Sequence, residues 1–453
     1  MDWRKRNLYY YRWLERIAAS AVPPGLRVLQ VGCETGHLLH ALKPGYGVGV
    51  DEDQENIARA RVLFPELIFI HAPDLGEFVL DEKFDAIVIS NSIGRWSDIE
   101  GVLQRLQACC ASETRVMVAY YSHLWAPILR LGSLVGLRRP RAYENWLSHD
   151  DIRNFLHLAD YDVIRADSHV LLPVYIPLIS AFCNRILSLL PGLRHLNLVS
   201  FVTARPAGRT ISEDGLSVSV IVPCRNEKGN IAQAIARIPR LGRETEIIFV
   251  EGNSSDGTAQ EIERQIALNP DKKITLLRQE GVGKGDAVRR GFAAAQGDLL
   301  MIQDADLTAP PEDLPKFVRA FSSGKGEFIN GSRLIYPMEK EAMRFLNLVA
   351  NKFFGLLFTW LLGQRFKDTL CGTKALSRRH YQGIAAHRSY FGDFDPFGDF
   401  DLIFGAVKQN LKVVEVPVRY KARTYGATNI SRFKHGLLLL RMSWIAFKKI
   451  KWV

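Results

Sequence analysis

The chain has 453 residues, of which 47% are hydrophobic and 24% charged, and its formal net charge is +11 at pH 7. This composition excludes a disordered chain, and the length exceeds what one hydrophobic core normally serves, so we expect two or three domains. A net positive charge of this size favours binding to an anionic partner. Because no DNA- or RNA-binding motif occurs, we expect an anionic membrane surface and no nucleic acid.

The first half is predicted to begin with a strand that ends in a glycine turn. The strand covers 27–31 and the turn covers 32–36, an arrangement that lets a cofactor lie across a strand end. A second apolar strand ends at Asp51, an acid placed to accept hydrogen bonds from a ribose. Two further strand patterns end at Asp74 and Asn91. These four strand ends together predict a cofactor site at the edge of an α/β sheet.

The order of these strand ends resembles that of the class I S-adenosylmethionine-dependent methyltransferases, and we assign residues 1–206 to this domain. The resemblance implies a Rossmann-like doubly wound fold with S-adenosylmethionine as its cofactor. It places Gly32, Glu34 and Gly36 against the methionine part of the cofactor, Asp51 at the ribose and Asp74 near the adenine.

The glycine turn departs from the family pattern at two positions. Gln30 stands where an acid is usual, and Glu34 stands where a second glycine often occurs. The missing acid removes a partner for the ammonium group of the cofactor. An active methyltransferase is therefore one interpretation, and a retained, non-catalytic docking domain is the other. No general base for methyl transfer stands out, and the methyl acceptor is left open.

A linker is predicted over residues 207–216, which are rich in small and polar residues and proline. After it, three strand patterns end in polar residues. The run 218–222 leads to Pro223, 247–250 leads to Glu251, and an apolar segment ending at Gln303 delivers two carboxylates. Strand ends that converge in this way form the ligand crevice of open α/β sheets.

The two carboxylates are Asp304 and Asp306, one residue apart. Such a pair suits a hard divalent cation, Mg²⁺ or Mn²⁺, which keeps open positions for phosphate oxygens. Between the second strand and this pair lies a glycine-rich turn, 281–287, whose Lys284 suits a phosphate or sugar oxygen. The alternative for the turn is a flexible surface loop.

From residue 217 onward these ordered motifs resemble the inverting GT-A glycosyltransferases of family 2, in the branch of the dolichol- and polyprenyl-phosphate sugar synthases. We assign residues 217–430 to this domain. The resemblance implies transfer of a sugar, with inversion, from a UDP- or GDP-linked nucleotide sugar to a polyprenyl phosphate or another glycan acceptor. It implies that the donor is bound by Pro223, Arg225, Glu227, Glu251, Lys284, Asp304 and Ser332, and the metal by Asp304 and Asp306.

The catalytic residues implied by the resemblance are Asp306, Arg333, Asp399 and Asp401. Arg333 follows a predicted strand and neutralises phosphate charge. A lipid phosphate is already ionised, whereas a hydroxyl acceptor requires a carboxylate as base. Asp399 and Asp401 best match the acidic pair of the family within a cluster that also holds Asp393 and Asp395. The alternative for these carboxylates is capping of a helix N-terminus.

Three stretches are candidates for membrane contact. Residues 431–453 read as a basic amphipathic helix lying in the interface, while 345–363 and 171–190 are apolar. None is a clean run of about twenty apolar residues, so we expect no transmembrane helix. The basic N-terminus lacks the apolar core of a signal peptide. We expect a cytoplasmic protein bound peripherally to the inner face of the membrane.

Overall fold

The computed structural model of the chain describes residues 3–75, 78, 80–138, 144–208, 210–337, 345–388, 398–426 and 432–452. The chain divides into two compact units. Unit 1 comprises Met1–Ala207 with Lys451–Val453, and unit 2 comprises Gly208–Ile450. The division after Ala207 falls inside the predicted linker.

Unit 1 is built on a seven-stranded sheet. Its strands are β1 (Arg27–Val31), β2 (Tyr46–Asp51), β3 (Ile68–His71), β4 (Phe84–Ser90), β5 (Cys110–Tyr121), β6 (Tyr161–His169) and β7 (Val199–Pro206). Their order is β3-β2-β1-β4-β5-β7-β6, and β7 runs antiparallel to both of its neighbours. The strand order reverses between β1 and β4, and ligands bind at such a switch point in open α/β sheets.

Helices cover both faces of this sheet. They are α1 (Trp3–Arg6), α2 (Leu8–Ala21), α3 (His37–Ala41), α4 (Gln54–Leu63), α5 (Ile99–Leu106), α6 (Ala126–Leu134), α7 (His149–Leu158) and α8 (Ile179–Arg185). Alternate residues of β1 enter different cores, since Val28 packs on one face of the sheet and Leu29 on the other. The α7 helix begins with a reciprocal capping box between Ser148 and Asp151.

Unit 2 holds a second seven-stranded sheet. Its strands are β8 (Ser217–Cys224), β9 (Glu244–Glu251), β10 (Lys273–Arg278), β11 (Leu299–Ile302), β12 (Phe328–Ser332), β13 (Lys374–Ser377) and β14 (Val413–Pro417). Their order is β10-β9-β8-β11-β13-β12-β14, with β13 antiparallel to β11 and β12. The switch point lies between β8 and β11. The predicted α/β class, with two doubly wound domains, is therefore confirmed.

The helices of unit 2 are α9 (Lys228–Arg237), α10 (Thr258–Leu268), α11 (Lys284–Ala294), α12 (Leu314–Ser322), α13 (Phe345–Leu362), α14 (Arg378–Ala386), α15 (Asp399–Lys408) and α16 (Arg432–Ala446). A π-helical turn, Phe447–Lys451, follows α16. The α16 helix buries Leu439 and Met442 in the core of unit 2 and exposes Leu437 and Trp444. Within the residues described, no helix is both long enough and apolar enough to cross a bilayer.

Candidate functional site

The carboxyl ends of β8, β9 and β11 form a crevice in unit 2. Asp304 follows β11, and its Oδ1 lies 2.6 Å from the Nζ atom of Lys284, at the start of α11. Burial alone would raise the pKa of Asp304, but Lys284 outweighs it and holds that pKa below its usual value. The carboxylate and the ammonium group therefore both stay charged at neutral pH.

An arginine, Arg423, joins the loops after β8 and β11. Arg423 donates from Nη1 to Oε1 of Glu227 (2.9 Å) and from Nη2 to Oδ2 of Asp306 (2.7 Å). The other oxygen of Asp306 accepts from the backbone N–H and the hydroxyl of Thr308. Burial raises the pKa of Glu227 despite its bonds to Arg423 and Asn230. One guanidinium thus bridges two carboxylates of the predicted donor site.

The loops of the crevice are fixed by local hydrogen bonds. Asn226 accepts from the backbone N–H of Ser255, and its own N–H donates to the Ser254 hydroxyl. Asn226, Asn253 and Leu307, one in each loop, have φ angles of 57°, 57° and 53°. Left-handed backbone in non-glycine residues costs free energy and concentrates at ligand sites.

The predicted residues of the β8 and β9 ends line this crevice. Glu251 is buried at the end of β9 and accepts a hydrogen bond from the backbone N–H of Ser254. Pro223 is half-buried, and Arg225 is exposed at the same strand end. The structure therefore brings these residues together with Glu227 at one edge of the sheet.

Gly372 and the buried Lys374 lie beside the charged residues of this crevice. A Cβ atom on Gly372 would lie 2.1 Å from Oδ2 of Asp304 and 2.4 Å from Nζ of Lys284, so any other residue there would displace the ends of these two side chains. Two residues on, Lys374 is wholly buried and donates to Oδ1 of Asp399 at 2.9 Å. Asp399 is therefore tied to the same cluster as the carboxylate pair.

Asp401 lies apart from Asp399, although both sit in the first turn of α15. Its Oδ2 lies 3.5 Å from Arg289 Nη1 and 3.5 Å from Arg388 Nε. The two members of the predicted acidic pair thus face different cations. The other two aspartates of the predicted cluster, Asp393 and Asp395, lie outside the described residues.

Arg333 is held by a buried carboxylate. Its backbone N–H, Nε and Nη2 all donate to Asp368, at 3.0, 2.7 and 2.8 Å. The neighbouring Ser332 is fully buried. Arg333 does not contact the carboxylate pair, but its charge helps to lower the pKa of Asp304. Its guanidinium therefore acts on the crevice from a distance.

Sequence reasoning missed how Arg423 and Lys374 are used. Arg423 lies 117 positions from Asp306 in the chain, so no local pattern links the two residues. Lys374 is the first residue of the buried strand β13. A lysine at the start of an apolar strand is the one feature that pointed to a buried ion pair.

In unit 1 the glycine turn joins the end of β2. Asp51, at the end of β2, accepts from the backbone N–H groups of Glu34 (2.8 Å) and Asp53 (3.0 Å), and from Nδ2 of Asn56. Gly32 has a φ of 73°, and a Cβ on it would lie 2.4 Å from Ser92. The ends of β1, β2 and β4 are therefore packed together at the switch point.

Other strand-end groups of unit 1 lie close by. Burial raises the pKa of Glu52, Arg95 opposes this shift, and Asp51 and Asp74 add to it. Asp74 is exposed after β3. The side-chain Oε1 of Gln30 is buried and has no hydrogen-bond partner within the described part of the chain. An acceptor left in this way fits the ammonium group of a bound amino-acid moiety.

A cavity beside this crevice was not predicted. It lies past the ends of β4 and β5, and its lining includes Asn91, Tyr120, Tyr121, Glu144 and Trp146. Tyr120 also shares a 2.9 Å hydrogen bond with the Nδ1 of a histidine at the start of α7. Aromatic walls with a few polar groups are typical of small-molecule pockets.

The fold defines a chain of two α/β domains, each with a crevice at its strand ends. Comparison with known families identifies both. The family described as "Methyltransferase domain" matches residues 3–166, and "Glycosyl transferase family 2" matches residues 219–393. The chain thus combines a methyltransferase domain with a family 2 glycosyltransferase domain, as its sequence predicted.

Relatives of the second half carry names of sugar transferases. Dolichol-phosphate mannosyltransferase of Pyrococcus furiosus is 30% identical over 48% of this chain and 59% of its own length. Undecaprenyl-phosphate 4-deoxy-4-formamido-L-arabinose transferase of Proteus mirabilis is 29% identical over 48% of this chain and 64% of its own length. The chain therefore spans less than two thirds of either relative.

Among solved structures, glucosyl-3-phosphoglycerate synthase of Mycobacterium tuberculosis in complex with uridine diphosphate is similar at 20% identity. The match has a TM-score of 0.38 and covers 52% of this chain and 80% of the synthase.

Proposed function

We propose that unit 2 transfers a sugar, with inversion, from a nucleotide diphosphate sugar to a polyprenyl phosphate or a similar membrane-borne acceptor. The observation that carries this proposal is the convergence of two carboxylates and two cations at one strand-end crevice. Asp304 and Lys284 form one pair, and Asp306 and Arg423 form the other. A diphosphate leaving group needs such positive charge close to a metal site.

The two carboxylates fit a divalent cation, because oxygen donors from Asp304 and Asp306 are the ligands that Mg²⁺ and Mn²⁺ prefer. When bound, such an ion stabilises the charge that develops on the leaving diphosphate. Lys284 is paired with the first of these carboxylates and Arg423 with the second. We propose that they turn to the phosphate oxygens when metal and donor bind.

The partners of Asp399 and Asp401 support a lipid-phosphate acceptor. Asp399 accepts a hydrogen bond from buried Lys374, and Asp401 faces two arginines. A phosphate acceptor is already ionised and requires no base of this kind. The names of the two relatives, a dolichol-phosphate and an undecaprenyl-phosphate transferase, support the same acceptor class.

The test is a transfer assay with purified protein and Mg²⁺. Labelled UDP- and GDP-sugars are offered one at a time with a short-chain polyprenyl phosphate, and label is followed into the lipid phase. We expect transfer from one donor, and omission of the metal should abolish it. Donor binding without transfer to lipid, followed by transfer to a hydroxyl acceptor, would replace the lipid phosphate by the alternative acceptor.

For unit 1 we propose binding of S-adenosylmethionine at the glycine turn. Gly32, Glu34 and Gly36 would face the methionine part, Asp51 the ribose and Asp74 the adenine. The unpaired Oε1 of the buried glutamine in β1 supports this assignment. Titration calorimetry with S-adenosylmethionine is the measurement. Failure to bind would favour the alternative, in which the domain is a non-catalytic docking module.

A further inference from the structure

Unit 1 carries an apolar surface formed by two segments, residues 122–138 and 170–197. The first segment contains α6, a nine-residue helix in which no residue is buried. Its exposed large side chains are Leu124, Ile128, Leu131, Leu134, Val135 and Leu137. Leu134 is 84% exposed. Among the residues that the structure describes, this helix therefore has no partner for the aliphatic side chains on its outer face.

The second segment is arranged with its polar side chains inward. Ser180, Asn184 and Ser188 recur every four residues and are buried, whereas Phe182 and Ile186 between them are exposed. The outer side of this segment exposes nine large hydrophobic side chains, and Leu178 is 87% exposed. This is the reverse of the pattern expected for a helix that faces water.

Hydrogen bonds satisfy the inward polar groups. Asn184 donates to the carbonyl of Leu172 (2.8 Å) and to the hydroxyl of Tyr9 (3.2 Å), and its Oδ1 accepts from the N–H of Leu172 (2.8 Å). Ser188 donates to the carbonyl of Asn184. The inward orientation is therefore specific, and the segment cannot turn its apolar side inward without leaving these groups unpaired.

The two segments contact each other where the first begins and the second ends. Trp125 donates from its indole N–H to the carbonyl of Leu196 at 2.7 Å, and the N–H of Ser122 donates to the carbonyl of Leu198 at 2.8 Å. Single exposed leucines are normal on a protein surface, but a cluster of this size marks a site of contact with a membrane or another protein.

The charge of the two segments indicates which of these partners they contact. The two segments contain four arginines and no acidic residue, although the chain as a whole carries 48 acidic residues among 453. Arg130, Arg185 and Arg194 are exposed beside the aliphatic side chains. The fourth arginine, Arg138, is paired with Glu144. Exposed apolar side chains beside exposed arginines complement an anionic lipid surface, which offers hydrocarbon below a layer of negative headgroups.

We propose that this apolar surface docks the protein on an anionic lipid bilayer, so that the methyltransferase-like domain supplies membrane attachment. This assigns attachment to unit 1, whereas the sequence placed it first in the C-terminal helix α16. The proposal does not depend on the glycosyl transfer proposed above, because vesicle binding is measured without donor or acceptor.

The experiment is flotation of the full chain with vesicles of phosphatidylcholine alone, or of equal parts phosphatidylcholine and phosphatidylglycerol. We expect binding to both, tighter to the anionic vesicles, and a difference that shrinks as salt screens the charges. No binding to either vesicle would overturn the proposal.

Substitutions locate the contact. Leu131→Glu with Leu134→Glu, and separately Ile179→Glu with Phe182→Glu, should each weaken vesicle binding at least about 100-fold, since each pair loses apolar burial and adds negative charge. The matched control is Val62→Glu, an 81% exposed residue of α4. This helix packs on β3, at the edge of the sheet opposite to β6. The control should bind within about threefold of wild type.

Further outcomes separate the proposal from its rivals. The Leu131→Glu, Leu134→Glu protein should keep its transfer activity toward a short-chain acceptor in detergent, and Asp306→Ala should lose transfer but still float. Full vesicle binding by both apolar-surface variants would overturn the proposal. If Leu437→Glu alone released the protein, the contact would belong to α16. If the apolar-surface variants only dissociated an oligomer in ultracentrifugation, the occupant would be a second copy.

Discussion

The strand-end carboxylates of the two units are satisfied by different partners. In unit 2, Asp304 faces Lys284, and Asp306 shares Arg423 with Glu227. In unit 1, Asp51 at the end of β2 accepts hydrogen bonds from N–H groups. Full cations suit a ligand that brings several negative charges, whereas neutral donors suit a ligand with little net charge. The two crevices thus differ in the way that the two proposed ligands require.

The largest effect should come from removing a carboxylate of the charged crevice. Asp306→Ala removes a proposed metal ligand and the carboxylate partner of Arg423, so we expect glycosyl transfer to fall by at least about 100-fold. The measurement is the lipid-phase transfer assay. Asp271→Asn, at an exposed turn of the same unit, is the control and should keep normal activity. Wild-type activity in Asp306→Ala would contradict the assignment of the charged crevice.

A second test concerns stability. Lys374→Met leaves the buried carboxylate of Asp399 without its cation, so we expect the free energy of unfolding to fall by about 3–5 kcal/mol. Urea denaturation followed by circular dichroism measures it. Adding Asp399→Asn to the same chain should restore part of the loss, because the buried charge is then gone. A double variant less stable than Lys374→Met would show that the pair is not the cause.

The strand-end crevice of unit 1 is tested by Asp51→Asn. The amide weakens acceptance from the N–H groups of Glu34 and Asp53, which loosens the glycine turn, so S-adenosylmethionine should bind about tenfold more weakly in calorimetry. Glycosyl transfer should be unchanged. If cofactor binding and glycosyl transfer were lost equally, the substitution would have unfolded the chain and would not report on the crevice.

The smallest effect should come from Lys284→Met. Asp304 has a folded-state pKa below its ordinary value, so the pair stabilises the fold above the unfolded pKa of about 4 and loses that contribution as pH falls through the folded value. We expect at most about 1 kcal/mol at pH 7, because the pair is partly exposed. Unfolding measured from pH 7 to pH 3 should show the two proteins converging in acid. A difference in unfolding free energy that stays constant with pH would show that the Lys284–Asp304 pair is not its source.

The sequence predicted both sheets and the strand ends that carry ligands, because apolar periodicity and the polar residue after each strand are local features. Asp304 and Asp51 were found in this way. It did not predict Arg423 as the bridge between two carboxylates, since that contact depends on how a distant loop returns over the sheet. Nor could it separate Asp399 from Asp401, because two residues in one helical turn differ only in the neighbours they face.

The apolar surface of unit 1 was only partly predicted from the sequence. The stretch 171–190 was recognised as apolar, but its composition does not say which side faces the protein. The four-residue spacing of Ser180, Asn184 and Ser188 held that information, because residues so spaced share a helix face. The 122–138 segment was not singled out at all, since it is short and its aliphatic residues resemble those of an ordinary core helix.

The left-handed residues of the three crevice loops have a thermodynamic consequence. Asn226, Asn253 and Leu307 hold backbone conformations that a free loop rarely samples, and neighbouring side chains already fix the first of them. Part of the ordering of these loops is therefore present before any ligand arrives. A nucleotide entering the crevice would have less of the protein's freedom of motion to restrict, so its association should carry a smaller entropic penalty than binding to flexible loops.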